Sequence, residues 1–196
     1  MRQRLVVLHG WGANADDLRP LGESLSDLHS AELEVIAFDA PQPHPDTSGR
    51  QWYGLFPARW DEVPKAVADL KNRLLGLDGG EQALQFTVLF GFSQGGAMAL
   101  NCGCDLPLAG VISCSGYPHP DWQPSPNHPD VLLLHGKHDE IVPFEALDAI
   151  WAKLNEDRRE RLVFDDGHTI PQIAVPVINK ALERMLQSSS AMSDQN

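Results

Sequence analysis

Six short apolar runs recur along the chain, and they limit its possible folds more than any other feature. Within each run the apolar residues are continuous instead of alternating with polar ones, as expected for strands that are covered on both faces. The runs lie at residues 5–8, 33–38, 86–90, 109–113, 131–134 and 162–164. We therefore predict a buried sheet of about six mostly parallel strands.

Helical patterns separate several of these runs. Apolar residues recur every three or four positions, which is the spacing of an amphipathic helix. These stripes are Leu18, Leu21, Leu25 and Leu28; Val67, Leu70 and Leu74; and Phe144, Leu147, Trp151 and Leu154. Residues 95–100 are small and apolar all round, which favours a helix buried against the sheet. Alternating strands and helices predict a doubly wound α/β fold whose ligands bind beyond the carboxyl ends of the strands.

Helix ends are predicted from capping residues and prolines. Asn14, Asp61 and Ser93 stand where N-caps are expected, and Pro64 and Pro176 suit first helical turns. A chain of 196 residues with 42% apolar side chains can form one core without disulfides. We predict one domain over residues 1–187, followed by a disordered polar tail at 188–196.

Charge and cysteine content exclude several classes of function. The formal net charge is −12, and the basic residues are scattered, so we expect neither nucleic acid nor anionic membranes to be stable partners. Three cysteines are too few for a disulfide framework and are interpreted as small buried residues. The first apolar run is too short for a signal peptide, so a cytoplasmic location is expected. No cluster has the spacing of a metal site, and we predict neither metal nor cofactor.

Residues 91–95 match the motif G-x-S-x-G and give the strongest functional signal. The motif follows an apolar run and opens the small-residue helix, which is the strand-turn-helix setting of a nucleophile elbow. The two glycines allow a turn sharp enough to project Ser93 from the edge of the sheet. Alone, the motif could be a glycine-rich turn with a capping serine; in this setting it predicts that Ser93 is a nucleophile.

A serine nucleophile needs a base, and the base needs a carboxylate that holds it in one tautomer. Asp139 and His168 each follow a later apolar run, in the chain order of α/β hydrolases. We predict His168 as the base and Asp139 as the acid. The carboxylates that remain as alternatives to Asp139 are Glu140, Asp165 and Asp166. The other histidines are His9 and His135 in His-Gly pairs, His44, His119 and His128 in proline-rich loops, His29 at a helix end, and His138 beside the acid.

Acyl transfer also needs donors for the oxyanion that forms in the transition state. The backbone N–H after the nucleophile belongs to Gln94, and the loop after the first strand reads His9-Gly10-Trp11-Gly12. Its glycines allow a close approach of the backbone, and we predict the N–H groups of Trp11 and Gln94 as the oxyanion hole. The alternative is a glycine-rich strand exit without a catalytic role.

Together these motifs resemble the phospholipase/carboxylesterase family of α/β hydrolases, which includes bacterial carboxylesterases and acyl-protein thioesterases. The similarity spans nearly the whole chain. It is carried by residues 8–14 (LHGWGAN), 51–53 (QWY), 91–96 (GFSQGG), 113–117 (SCSGY), 135–143 (HGKHDEIVP) and 167–168 (GH). The resemblance implies the triad Ser93, Asp139 and His168, with Trp11 and Gln94 as oxyanion donors.

Two departures weaken what the resemblance implies about the substrate. The chain starts at the strand before the oxyanion loop, so we expect the leading strands of many family members to be absent. Gly54 stands where the family often has aspartate. Trp52, Tyr53, Leu55 and Phe56 could line an acyl pocket or could pack within their own loop; Trp52 and Tyr53 are our candidates for substrate binding.

The sequence thus predicts a serine hydrolase that cleaves a small-molecule ester or thioester through an acyl-enzyme. Short or medium acyl chains are expected. The alternatives are an acyl-protein thioesterase, a lysophospholipase or a peptidase on the same scaffold, and a binding protein that keeps the fold without turnover. We expect a monomer or a homodimer.

Overall fold

A computed structural model describes residues 2–193, and within this range the chain forms a six-stranded sheet and a separate two-stranded pair. The strands are β1 (Gln3–Leu8), β2 (Leu33–Phe38), β3 (Gln42–Pro43), β4 (Arg50–Gln51), β5 (Thr87–Phe92), β6 (Gly110–Cys114), β7 (Asp130–Gly136) and β8 (Arg159–Phe164). The large sheet has the order β2-β1-β5-β6-β7-β8, with every neighbouring pair parallel. Strands β3 and β4 pair with each other in antiparallel orientation.

The predicted fold class is confirmed. Each of the six apolar runs coincides with a strand of the large sheet, and β6 is buried along its whole length. Because all six strands are parallel, their carboxyl ends meet at one edge of the sheet. That edge carries the loops that follow β1, β5, β7 and β8.

The helices are α1 (Ala15–Leu28), α2 (Val63–Leu75), α3 (Gly80–Leu84), α4 (Gln94–Gly103), α5 (Glu145–Trp151) and α6 (Val175–Ser193). Asn14 caps α1 as predicted: its Oδ1 accepts hydrogen bonds from the N–H groups of Asp16 and Asp17, and the Asp17 carboxylate accepts one from the Asn14 N–H. Pro64 lies in the first turn of α2.

The predicted cap at Asp61 is wrong. The chain enters α2 through a 3₁₀ turn over Trp60–Glu62, and the Asp61 carboxylate instead binds the guanidinium of Arg59 at 3.0 Å. Ser93 occupies the N-cap position of α4 but its side chain makes no capping hydrogen bond. The Ser93 hydroxyl is therefore not used by the helix.

Two hydrophobic clusters form the core, one on each face of the sheet. Successive strand residues face opposite sides, so Val6 packs with α2, α4 and α5, whereas its neighbour Leu5 packs with α1 and α6. Phe90, at 0% exposure, lies in the cluster with α1 and α6. The sheet thus separates two helical layers, each with its own apolar contacts.

The end of the chain differs from the sequence expectation. Helix α6 continues to Ser193 and so includes most of the stretch 188–196 for which a tail was predicted; residues 194–196 lie outside the described range. No helix in the described part of the chain is long and apolar enough to cross a membrane. Cys102, Cys104 and Cys114 are free and buried, as predicted, and burial raises the pKa of the Cys114 thiol to about 12.

Candidate active site

Ser93 lies in a sharp turn between β5 and α4. Its backbone has φ 55° and ψ −119°, a left-handed conformation that non-glycine residues adopt rarely, and its N–H donates to the Cys114 carbonyl at 2.9 Å. A Cβ atom on Gly91 would lie 2.1 Å from the Gly95 carbonyl oxygen, and one on Gly95 would lie 2.2 Å from the Leu8 carbonyl oxygen. Close backbone packing therefore requires both glycines of the motif.

Asp139 and His168 are in direct contact. The Oδ2 atom of Asp139 lies 2.8 Å from Nδ1 of His168, and Oδ1 accepts hydrogen bonds from the N–H groups of Ile141 at 3.0 Å and Val142 at 2.8 Å. Burial acts to raise the pKa of Asp139, but the Val142 N–H and His168 favour the charged form, and the pKa is lowered overall. The carboxylate is thus ionised at neutral pH and can accept a hydrogen bond from His168.

The alternative carboxylates are directed elsewhere. Asp165 binds the exposed His138 at 2.9 Å, and Asp166 accepts the N–H of Gly167 at 2.8 Å. Glu140 is exposed to solvent. Of the four carboxylates that the sequence leaves open, the structure brings Asp139 to His168.

A close approach between two loops holds His168 in place. A Cβ atom on Gly136, at the end of β7, would lie 2.3 Å from the Gly167 carbonyl oxygen, so glycine is needed where the histidine loop crosses this strand. The imidazole of His168 packs against the Phe92 ring with a centroid distance of 4.8 Å. His168 and Ser93 line the same cavity.

The loop after β1 passes directly beside Ser93. The position of a Cβ atom on Gly10 is 3.2 Å from Cβ of Ser93. His9 is structural: Nδ1 donates to the Gly10 carbonyl at 2.7 Å, Nε2 accepts the Ala40 N–H at 3.0 Å, and burial lowers its pKa. Gln94 is the first residue of α4, where N–H groups have no acceptor within the helix. Gly10, the residue before Trp11, and Gln94 thus flank Ser93, and Trp11 lines the same cavity as Ser93.

Contacts that sequence reasoning missed hold the Trp11 side chain. Its Nε1 donates to Oε1 of Gln51 at 2.9 Å, and its ring meets His44 edge-on with a centroid distance of 4.1 Å. Nδ1 of His44 accepts the N–H groups of Asp46 and Thr47, so the ring proton lies on Nε2, which is buried without a hydrogen-bond partner. No sequence pattern links residues 11 and 44.

Trp52 and Tyr53 are not brought to the cavity beside Ser93. Their exposed fractions are 1% and 0%, and Nε1 of Trp52 donates to the His9 carbonyl at 2.9 Å. The Gln94 side chain accepts the Trp52 N–H at 2.9 Å and donates to the Tyr53 carbonyl at 2.8 Å. In the structure these two candidates for substrate binding are buried residues that pack against His9 and Gln94, next to Ser93 in the fold.

The Tyr53 hydroxyl belongs to a buried polar network. It lies 2.7 Å from the hydroxyl of Tyr117 and 2.8 Å from Nε2 of His119, whose Nδ1 accepts the amide of Asn101 at 2.7 Å. Burial lowers the pKa of His119 to about 4 and raises that of Tyr117 to about 12. The network fixes Tyr117, which lines the cavity beside Ser93.

A cavity of about 430 Å³ opens beside Ser93, and we name it the acyl cavity after the role that we propose for it. Its walls are mainly apolar and include Leu55 and Phe56 of the aromatic loop. Its lining consists of Trp11, Leu55, Phe56, Ser93, Tyr117, Ile141, Val142, Pro143, Ala146 and His168. Sequence reasoning gave no role to residues 141–143, although they lie in the same family motif as Asp139. Within residues 2–193, no group of three or more His, Cys, Asp or Glu side chains could hold a metal ion.

Comparisons with known proteins show the family to which the chain is similar. The family model described as phospholipase/carboxylesterase matches residues 1–186. Among solved structures, esterase PE8 is similar at 28% identity and a TM-score of 0.82, over 94% of this chain and 93% of that one.

More distant structures share the fold. SOBER1 of Arabidopsis thaliana has 22% identity and a TM-score of 0.76, over 95% of this chain and 100% of that one. Acyl-protein thioesterase 2 of Zea mays has 18% identity and a TM-score of 0.71, over 94% of each chain. A search of curated proteins gave no match. The family match over almost the whole chain establishes that this protein belongs to the phospholipase/carboxylesterase family of α/β hydrolases.

Proposed function

We propose that the protein hydrolyses carboxylic esters through an acyl-enzyme formed on Ser93. The observation that carries this proposal is the hydrogen bond between Asp139 and His168, because His168 lines the same cavity as Ser93. His168 acts as the base, Asp139 orients it, and the N–H groups of Trp11 and Gln94 stabilise the oxyanion. Similarity to esterase PE8 supports an ester substrate.

The imidazole tautomer fixes the direction of proton transfer. Because Nδ1–H of His168 donates to Asp139, Nε2 carries no proton. Nε2 therefore takes the proton of the Ser93 hydroxyl while the Ser93 oxygen attacks the carbonyl carbon of the ester. The tetrahedral intermediate collapses, the bond to the leaving oxygen breaks, and Nε2 returns the proton to that oxygen. A water molecule then attacks the acyl-enzyme by the same route and regenerates Ser93.

The acyl cavity suggests the size of the acyl group. Its volume of about 430 Å³ and its apolar walls fit a short or medium acyl chain. The net charge of −12 opposes binding to anionic lipid surfaces and to nucleic acid. A small, freely diffusing ester is the substrate that these properties favour. A thioester could react at the same atoms, since the oxyanion and the base would act in the same way.

The test is a panel of p-nitrophenyl esters from acetate to hexadecanoate, measured with the wild-type protein and Ser93→Ala. We expect turnover that is highest for short or medium chains and falls for the longest. Ser93→Ala should lower kcat by at least about 10³-fold, because the nucleophile is lost while the fold stays intact. Added chelator should leave activity unchanged. Ester binding without turnover by the folded wild type would instead favour a non-catalytic binding protein.

A further inference from the structure

A second cavity, of about 530 Å³, lies on the other side of His168, between α1 and the start of α6. We name it the α1 cavity. Of the described residues, His168 alone lines both the α1 cavity and the acyl cavity. The proposed base therefore stands on the wall between two cavities large enough for small molecules.

Neighbouring residues of the backbone near Ser93 also line different cavities. Gly10 and Phe92 line the α1 cavity, whereas the next residue in each case, Trp11 and Ser93, lines the acyl cavity. The boundary thus runs through the oxyanion loop, the elbow and His168. A carbonyl carbon bound at the Ser93 hydroxyl would lie on this boundary.

We infer that the α1 cavity receives the leaving alcohol of the substrate. This inference rests on the proposed ester hydrolysis, in which the carbonyl carbon carries an acyl chain and a leaving oxygen. The leaving oxygen must take its proton from His168 when its bond to carbon breaks, so it must lie beside this imidazole, which lines both cavities. The nucleophile and Trp11 face the acyl cavity, which leaves the α1 cavity for the alcohol.

The lining of the α1 cavity indicates the kind of alcohol. Its walls carry apolar side chains of α1, of the loop that leads into α6 and of the first turn of α6, including Leu18, Leu21, Ile170 and Val175. Apart from His168, the titratable groups among its described lining residues are His9, which is neutral, and the carboxylate of Asp17; neither lysine nor arginine is present. An anionic group would meet a carboxylate without a compensating cation. The alcohol is therefore uncharged and partly apolar, and phosphate-bearing alcohols such as those of lysophospholipids are disfavoured.

The experiment uses two series of esters and variants that narrow one cavity each. One series joins acetate to neutral alcohols of increasing size, and the other joins methanol to acids of increasing length. Ser24→Trp narrows the α1 cavity from an exposed position of α1, and Ala146→Trp narrows the acyl cavity. Glu23→Trp, an exposed position outside both linings, is the matched control.

The quantity to measure is kcat/KM for each ester, because it includes the step in which the alcohol departs. In Ser24→Trp, the preference for bulky over small alcohols should fall about tenfold or more, as expected when a pocket is filled. In Ala146→Trp, the preference for long over short acyl groups should fall instead, and Glu23→Trp should change neither preference. Circular dichroism confirms that each variant is folded.

Two results would overturn the inference. If Ser24→Trp reduced the preference for long acyl groups while the alcohol preference stayed constant, the two cavities would be assigned in reverse. If wild type preferred an acetate whose alcohol carries a phosphate over its neutral counterpart, the charge argument would fail. In both cases turnover by wild type would leave ester hydrolysis itself intact, whereas absence of turnover with every ester would refute the proposed function.

Discussion

The carboxylate of Asp139 accepts a hydrogen bond from Nδ1 of His168 at 2.8 Å while its other oxygen accepts two backbone N–H groups. The backbone bonds prevent rotation of the carboxylate, so Asp139 presents Oδ2 to the imidazole in one orientation. Its side chain has 0% exposure, which protects this contact from water. The relationship ties the tautomer of His168 to the loop that follows β7.

Asp139→Asn tests this relationship. The oxygen of the asparagine can keep the hydrogen bonds from the backbone N–H groups. Its NH₂ group would then face Nδ1 of His168 and favour the other tautomer of that imidazole. We expect kcat to fall by about 10³ to 10⁴ with little change in KM. Asp165→Asn, Asp166→Asn and Glu140→Gln should each cost about tenfold or less, because these side chains do not contact His168. Near-normal turnover in folded Asp139→Asn would contradict the assigned triad.

Covalent labelling tests the nucleophile independently of substrate choice. An alkyl fluorophosphonate should modify Ser93 stoichiometrically, because the elbow and His168 make this hydroxyl reactive. Mass spectrometry of a digest locates the adduct. His168→Ala should slow labelling by at least about 10²-fold, since the base no longer takes the proton. An adduct on a different serine in the wild-type protein would remove Ser93 from this role.

The elbow glycines should be intolerant to substitution for a steric reason. In Gly95→Ala, the new Cβ would lie 2.2 Å from the Leu8 carbonyl oxygen and 2.6 Å from that of His9, both on the rigid backbone. We expect a loss of at least about 3 kcal/mol in the free energy of unfolding, or failure to fold.

Gly167→Ala is the matched control within the same site. Its Cβ would meet the His138 carbonyl oxygen at 3.5 Å, an ordinary contact, so stability should change by less than about 1 kcal/mol. Thermal and urea unfolding measure both variants. Equal stability of the two alanine variants would show that the backbone at the elbow relaxes more easily than its packing indicates.

The free energy of unfolding should decrease when the pH is lowered, because His119 is buried. Burial lowers the pKa of this imidazole from 6.5 to about 4, so between these values the unfolded chain binds a proton that the folded protein does not. The free energy of unfolding should therefore decrease as the pH falls from 6.5 towards 4, by up to about 3 kcal/mol from this group. Urea denaturation at several pH values in this range measures the slope.

His119→Gln should make this slope shallower, although the variant will be less stable at every pH because Asn101 and Tyr53 lose their hydrogen bonds to the imidazole. His9, whose pKa burial also lowers, should maintain part of the slope. His138→Gln is the control, since this side chain is 70% exposed. An unchanged slope in His119→Gln would contradict the assignment.

Much of the arrangement could be predicted because the relevant residues follow apolar runs. Ser93, Asp139 and His168 each come after a strand of the large sheet, and parallel strands place their carboxyl ends together. The local pattern of apolar runs thus predicted that residues far apart in the sequence lie at the same edge of the sheet. The glycine requirement at residue 95 was also foreseeable, since the motif places it where the helix meets the sheet.

The missing details depend on which face of an irregular loop is buried. Residues 52–56 have neither strand nor helix periodicity, so the sequence could not show that Trp52 and Tyr53 turn inward while Leu55 and Phe56 line the acyl cavity. The pairing of Trp11 with His44 and of Tyr53 with His119 joins distant loops. Such contacts arise only once the sheet has brought the loops together.

The separation of the core into two clusters has a consequence for how such an enzyme can change over evolutionary time. Leu55 of the acyl cavity packs with the cluster on the α2 and α4 face, whereas Leu18, Leu21 and Val175 of the α1 cavity belong to the cluster on the α1 and α6 face. The sheet separates these packing residues, and His168 is the one described residue that lines both cavities, so substitutions on the far walls should be close to additive. If the two cavities bind the two halves of an ester, as we propose, lineages could drift in their preference for one half while the other half stays under selection, and new combinations could arise by recombination between relatives.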